Sequence, residues 1–231
     1  MIGWSDLIVK AKVIIDDARW DKELAENPAR FFRAKSDYVS MALPLLNRPP
    51  NLLTWAKDGM TAPSYDSAEW VSTQASTQAP TAVSTGLTGY ELCSVSLRSE
   101  DGREETPYTD FSYDKTTGVV TFGQQSAEGL DYEIDFYTDG EFRDFDETIL
   151  RLLALAIAVV WDERFDNDWL NLQMKIHDSS FDTANEGNYA EKISQRRERN
   201  RAAFTEELKQ YEQNAAYSRI PQSRLFPVMK W

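Results

Sequence analysis

The apolar run from Ile149 to Trp161, interrupted only by Arg151, constrains the fold of this 231-residue chain more than any other feature. At the helical period its large apolar side chains fall on both sides of one helix, because Leu150, Leu153 and Ile157 face one way while Leu152 and Leu155 face the other. A helix that is apolar nearly all round is covered by neighbours on most sides. The run therefore predicts a central core helix, and it is too short to span a bilayer, which takes about 20 residues.

Three further stretches have the apolar spacing of amphipathic helices. The first runs from Trp4 to Ala18, with Ser5 or Asp6 as a cap. The second is announced by Asn27-Pro28, a capping residue before the residue that best tolerates the first helical position, and Pro44 ends it. The last, from about Asn188 to Ala215, sets an apolar stripe against a heavily charged face.

Between these helical stretches the pattern changes to that of β-strands. Strand signals are read in YELCSVSL, TPYTDFSY, GVVTF and LDYEIDFYT, and DKTTG at 114–118 has the composition of a hairpin turn. The stretch before them, residues 72–89, is rich in serine and threonine and predicts a long loop. An antiparallel meander inserted between helices is the expected arrangement.

Together these patterns predict an α+β fold with a mainly α-helical bundle core, an inserted antiparallel β domain and an extended C-terminal arm. The expected boundaries are 1–64 for the N-terminal part of the helical core, 65–142 for the β domain with its loop 72–89, 143–215 for the C-terminal part of the core, and 216–231 for the arm.

The C-terminal stretch YSRIPQSRLFPVMKW has three cations, no acid, two prolines and several large apolar groups. A segment that buries nothing gains nothing from such groups. The prolines forbid a regular helix. The composition predicts an extended arm that binds another surface, and the alternative is that it packs back on its own protomer.

The formal charge of −13 argues against general binding to nucleic acid or to an anionic membrane. Acids concentrate between Glu128 and Asp168, and strand alternation predicts that three of them face water together: Asp131, Glu133 and Asp135. A basic stripe on the last helix consists of Arg196, Arg197, Arg199 and Arg201. One interpretation of the stripe is contact with an acidic neighbour, such as a second copy of the chain. The other is an exposed helix face whose charges form salt bridges with one another.

No motif in the sequence indicates catalysis, a cofactor or a metal. His177 has no second imidazole, and Cys93 lies in an alternating strand pattern that favours a core thiol. The acids from Asp162 to Asp168 lack the glycine-turned loop of a calcium hand. The sequence predicts neither an enzyme nor a membrane protein, and the absence of a secretory signal pattern indicates an intracellular origin.

The helical N-terminal unit, YTDFSYDKTTGVVTF, GLDYEIDFYTDGEF and FDETILRLLALAIAVVWDERF together resemble virion structural proteins of tailed bacteriophages. The chain is most similar to the head-to-tail adaptor, connector or neck proteins that bind beneath the portal. The residues that carry this resemblance best are Tyr113, Asp114, Gly118, Val120, Thr121 and Phe122.

The resemblance implies a homo-oligomeric ring, usually twelve-fold, that docks on the portal protein, meets a tail or nozzle protein, and lets DNA pass without specific binding. It implies a location in the virion neck after synthesis in the host cytoplasm. The arm would enter the portal through Arg219, Ile220, Pro221, Arg224, Leu225, Phe226, Pro227 and Trp231. The arginine stripe would lie between subunits, and Asp131, Glu133 and Asp135 would face the channel and repel phosphates.

Two other functions stay open at this point. A phage tail or baseplate subunit would share the β meander and would bind tail proteins rather than the portal. An acid-dependent hydrolase would need two carboxylates that converge in a pocket.

Overall fold

The computed structural model describes residues 2–49, 52–58, 60–72, 81–99, 105–123, 129–143, 147–176 and 183–219. Over these ranges the chain forms six α-helices and three antiparallel sheets, which confirms the predicted α+β class. The helices are α1 (Trp4–Ile15), α2 (Ala18–Glu26), α3 (Pro28–Ala42), α4 (Leu52–Asp58), α5 (Glu147–Ile176) and α6 (Thr183–Arg219), with a 3₁₀ turn at Leu43–Leu45.

The first two strands flank the N-terminal helices: β1 (Ile2–Gly3) and β2 (Met60–Thr61). The remaining strands are β3 (Ser64–Val71), β4 (Thr81–Ser84), β5 (Leu92–Arg98), β6 (Glu105–Tyr108), β7 (Phe111–Asp114), β8 (Val119–Phe122), β9 (Asp131–Thr138) and β10 (Glu141–Phe142).

Helix α5 is central, as its apolar surface predicts. It packs against α1 and α3 from the N-terminal part of the chain and against α6 from the C-terminal part. Leu152, Leu153 and Ile157 on α5 are fully buried together with Leu7 and Ile8 on α1. Helices from both ends of the chain therefore share one hydrophobic core, and every strand except β1 lies between α1 and α5 in sequence.

The predicted first helix ends at Ile15, three residues earlier than expected, and a further helix, α2, that was not predicted follows it. Asp16 adopts a left-handed conformation with φ of 50°, which ends α1, and the Asp17 side chain then accepts a hydrogen bond from the Arg19 amide to cap α2. The predicted start of the next helix is confirmed, because Asn27 Oδ1 accepts a 3.0 Å hydrogen bond from the Arg30 amide and Pro28 is the first helical residue.

Two of the sheets stack face to face. One has the strand order β3-β9-β5-β6 and the other the order β4-β8-β7. Val95, Ile134 and Phe136 from the first sheet pack against Val120 and Phe122 from the second. The β region is thus a small sandwich rather than a single meander.

Strand alternation did not predict how the strands are shared between the sheets. The predicted strand TPYTDFSY breaks at Thr109 and Asp110, so that β6 belongs to one sheet and β7 to the other. The following hairpin is as predicted, with Gly118 at a φ of 68° in the turn between β7 and β8. A period of two shows that a strand has two faces, but it does not show which strand lies beside it.

Two strands of the sandwich were missed. β3 pairs with β9 along all eight of its residues, although Ser64–Val71 contains few β-branched side chains. The predicted loop 72–89 is wrong at Thr81–Ser84, which pairs with β8 and packs Val83 on the sandwich core. Pairing and burial outweighed a weak local preference for strand in both segments.

The last helix ends at Arg219 rather than at the predicted Ala215, so residues 216–219 are helical and not part of an extended arm. This end agrees with Pro221, because the residue before a proline is biased away from the helical conformation. Residues 220–231 lie outside the described ranges. Within those ranges, no helix combines the length and the apolar character that a membrane span requires.

Candidate functional site

A buried polar junction joins the start of α3 to strands β5 and β9. Asn27 Nδ2 donates hydrogen bonds to Ser96 Oγ at 2.9 Å and to Asp135 Oδ2 at 2.8 Å. The Ala29 amide donates to Ser94 Oγ at 3.1 Å. The first amides of a helix have no partner within it. The side chains of Ser94 on the sheet and of the capping Asn27 therefore accept the hydrogen bonds of the first amides of α3.

Two arginines neutralise the acids of β9. Arg30 lies on α3, and its Nε donates to Asp135 Oδ2 at 3.1 Å while its Nη2 lies 2.7 Å from Glu133 Oε1. Arg98 on β5 reaches Glu133 at 2.5 Å and Glu69 on β3 at 2.9 Å. These charges, together with Asn27, Ser94 and Ser96, are called the ionic junction below. It fixes the sandwich against α3.

Asp135 is the buried centre of the ionic junction, with 2% of its surface exposed. Burial raises the pKa of its carboxyl group, and the positive charge of Arg30 and the hydrogen bond from Asn27 oppose that rise. Within the described part of the chain, Asp135 Oδ1 accepts no hydrogen bond. A carboxylate that is buried with one oxygen unpaired is costly to ionise.

The prediction that Asp135 faces water is wrong. Strand alternation correctly placed Asp131, Glu133 and Asp135 on one face of β9, but α3 covers that face at Asp135, which alternation did not show. The Glu133 side chain is only 17% exposed and is held by both arginines. Asp131 is 41% exposed, and its place in a channel stays a prediction.

The predicted basic stripe is only partly at the surface. Arg196 Nε donates a 2.8 Å hydrogen bond to Asp162 Oδ1 on α5, so this guanidinium is bound within its own chain. Arg197 is half-buried, whereas Arg199 and Arg201 are exposed. Contact between subunits through the exposed pair stays a prediction.

Asp162 was considered from sequence as part of a calcium site. It is fully buried between Arg196 and Asn200 instead. No group of three histidine, cysteine, aspartate or glutamate side chains is placed to hold a metal ion in the described residues. His177 lies outside those residues.

An aromatic cage around Lys35 was not found from sequence. Its Nζ lies 5.0 Å from the ring centre of Trp20, 5.6 Å from that of Phe31 and 5.2 Å from that of Trp161, and Glu23 pairs with it at 2.5 Å. The spacing of Phe31 and Lys35, four residues apart on α3, was the available signal. The cage joins α2, α3 and α5 and leaves Lys35 with 6% of its surface exposed.

Cys93 is half-buried beside the sandwich core, as its strand position predicts. Burial raises the pKa of its thiol to about 12, and the nearby charge of Asp135 adds to the rise. Such a thiol is a poor nucleophile because it is almost wholly protonated at neutral pH.

The predicted portal-binding residues Ile220, Pro221, Arg224, Leu225, Phe226, Pro227 and Trp231 lie outside the described ranges, and Arg219 is the last residue of α6. No protein-family model, curated protein or solved structure matches this chain.

Proposed function

We propose that this chain is a ring-forming adaptor of a tailed-phage virion, which docks on the portal protein, meets a tail or nozzle protein and joins the capsid to the tail. The observation that carries the proposal is the insertion of a β-sandwich between helices that share one core. The resemblance to head-to-tail adaptors implies this arrangement. In this proposal the helices are the bundle core of the adaptor.

The arm of the proposed adaptor starts directly after α6, at residue 220. Its large apolar side chains would enter pockets on the portal, and its prolines would lower the cost of ordering by restricting the free chain. Its cations would meet acidic groups of the portal surface. The arm is proposed as the anchor and the helical core as the body of the ring.

Copies of the chain are proposed to meet through α6 in a ring of about twelve subunits, a size that comes from the resemblance. Arg199 and Arg201 are exposed on α6 beside the exposed acids Glu198 and Glu206. Repeated mixed-charge contacts set the register of neighbouring subunits more than their affinity. Each copy carries a formal charge of −13, so the ring would repel DNA phosphates and DNA would pass through it without specific binding.

Mass photometry of the purified chain with the portal protein of the same virus tests the arm. Truncation after Arg219 removes the proposed arm and leaves α6 complete. A second variant keeps the length but replaces Leu225, Phe226 and Trp231 with serine. We expect the full chain to bind and both variants to lose binding. Binding of a tail protein but not of the portal would contradict the proposal and favour a tail or baseplate subunit.

A separate pair of variants tests the subunit contact. Replacing Arg199 and Arg201 with glutamate should lower the oligomer mass measured by the same method, because both side chains are exposed and charge reversal would repel the acidic neighbour. Lys209→Glu changes an exposed cation on the same helix and should leave the mass unchanged. Oligomers that withstand the double reversal would place the interface on another surface.

A further inference from the structure

The outer edge of β3 has no strand beside it in the described part of the chain. β3 is the first strand of the sheet β3-β9-β5-β6, and its pairing with β9 runs without interruption from Ser64 to Val71. An eight-residue edge strand presents a row of backbone donors and acceptors to its surroundings. Such a row is a template for an additional strand.

The two edges of this sheet differ in length and in composition. The opposite edge is β6, which has only four residues and contains Pro107. Proline and short length are devices that stop an edge from pairing. β3 is twice as long and contains no proline, no lysine and no bulge in its register. The β6 edge is therefore protected against pairing with a further strand, whereas the β3 edge is suited to it.

The side chains of β3 indicate which strand would fit. Asp66 and Glu69 are both exposed and, because they are three residues apart, they lie on opposite faces of the sheet. The Glu69 side chain is 67% exposed even with Arg98 beside it. Tyr65 is 47% exposed and Val71 53%, and both lie on the face of Glu69. The edge combines an acid on each face with two exposed apolar groups on one face.

A second β3 fits this edge poorly. Ser64–Val71 contains no lysine or arginine, so a second copy of β3 offers no cation to Asp66 or Glu69 in any register. The same positions facing lysine or arginine would be stabilising.

We propose that the free edge of β3 binds an extended basic segment of a partner polypeptide, which adds a fifth strand to the sheet and places cations three residues apart opposite Asp66 and Glu69. Main-chain hydrogen bonds would provide affinity, and the cations would select the partner. This inference does not depend on the adaptor proposal, because the edge and its charges are independent of the arm and of α6.

An eight-residue valine/threonine peptide with lysine at its third and sixth positions is the probe. In an eight-residue register these positions face Asp66 and Glu69 whether the peptide runs parallel or antiparallel. Fluorescence anisotropy with the full-length chain at low salt should show binding at least fivefold tighter than for the same peptide with glutamate at both positions. A lysine peptide N-methylated at the residues that bond to the edge should not bind.

Asp66→Lys tests the location of the peptide. Asp66 is exposed, and its one described hydrogen bond is to the adjacent Ser67 amide, so the variant should fold. We expect the lysine peptide to lose at least threefold in affinity. Glu191→Lys makes the same charge change at an exposed position of α6 and should leave the affinity unchanged. Equal binding of the lysine and glutamate peptides would overturn the proposal. So would full binding of the methylated peptide, or equal effects of the two variants.

Discussion

Asn200 Nδ2 donates a 2.8 Å hydrogen bond to Oδ2 of Asp162, whose side chain is fully buried between α5 and α6. Arg196, one turn earlier on α6, donates to the other carboxylate oxygen at 2.8 Å. Residues four apart lie on the same face of a helix. One aspartate on α5 therefore binds two successive turns of α6 and sets the register between the helices.

Asp162→Ala should be strongly destabilising. The change leaves the Arg196 guanidinium without its partner at a site where that side chain is only 19% exposed. Removing one member of a buried ion pair costs about 3 kcal/mol. Urea unfolding followed by circular dichroism measures the loss in the free energy of unfolding. Glu163→Ala, at the next and more exposed position, is the control and should cost about 0.5 kcal/mol or less. Equal losses in the two variants would show that the pair does not hold α6.

Asn27→Ala tests the ionic junction. Asn27 caps α3 and also donates to Ser96 and Asp135, so its loss removes the cap and leaves two buried acceptors short of a donor. We expect a loss of about 3 kcal/mol in the free energy of unfolding. Asp17→Ala removes the cap of α2 together with its ion pair to Arg19 and should cost about 1 kcal/mol. If the two variants lose the same stability, the contacts of Asn27 with the sheet add nothing.

Asp135 should make the stability pH-dependent in a definite direction. Its pKa is raised by burial, so between the unfolded and the native pKa the native state binds more protons. The free energy of unfolding then rises as the pH falls through that window. As the pH falls from about 7 to about 4, the free energy of unfolding of the wild type should therefore rise relative to that of Asp135→Asn.

Asp114→Asn provides a control of opposite sign for that pH series. Hydrogen bonds from Thr116 and Thr117 lower the pKa of Asp114, so the stability that its charge provides is lost as the pH falls. The wild type should therefore lose stability relative to Asp114→Asn at lower pH, as the pH falls from about 5 to about 3 through and below the ordinary aspartate pKa. If the stability difference between wild type and variant changed in the same direction with pH for both variants, the raised pKa of Asp135 would be contradicted.

Cys93 should react slowly in the folded protein. Burial raises the pKa of its thiol to about 12, which leaves about one thiolate in ten thousand at about pH 8. We expect alkylation by iodoacetamide, followed by mass spectrometry, to be at least about a hundredfold slower than in urea-unfolded chain. Comparable rates in the two states would mean that the strand opens readily or that the thiol is not buried.

The sequence correctly predicted those features that depend on neighbouring residues. The apolar surface of α5 predicted its central place, Asn27-Pro28 predicted the start of α3, and Gly118 predicted the turn between β7 and β8. The two faces of β9 also followed from alternation. For the candidate site, this was enough to select Asp135 as one of a row of acids but not to assign its surroundings.

What only the tertiary structure decided is where each charge lies. Asp135 and Asn27 are 108 positions apart, and Asp162 and Asn200 are 38 apart. No local pattern relates such residues, because periodicity shows that a face exists and not what covers it. Hydrophobic periodicity, helix caps and turns could be predicted from the sequence because the interactions that stabilise them involve residues only a few positions apart. The burial of Asp135, the partner of Arg196 and the free edge of β3 were not, because they arise where distant segments meet.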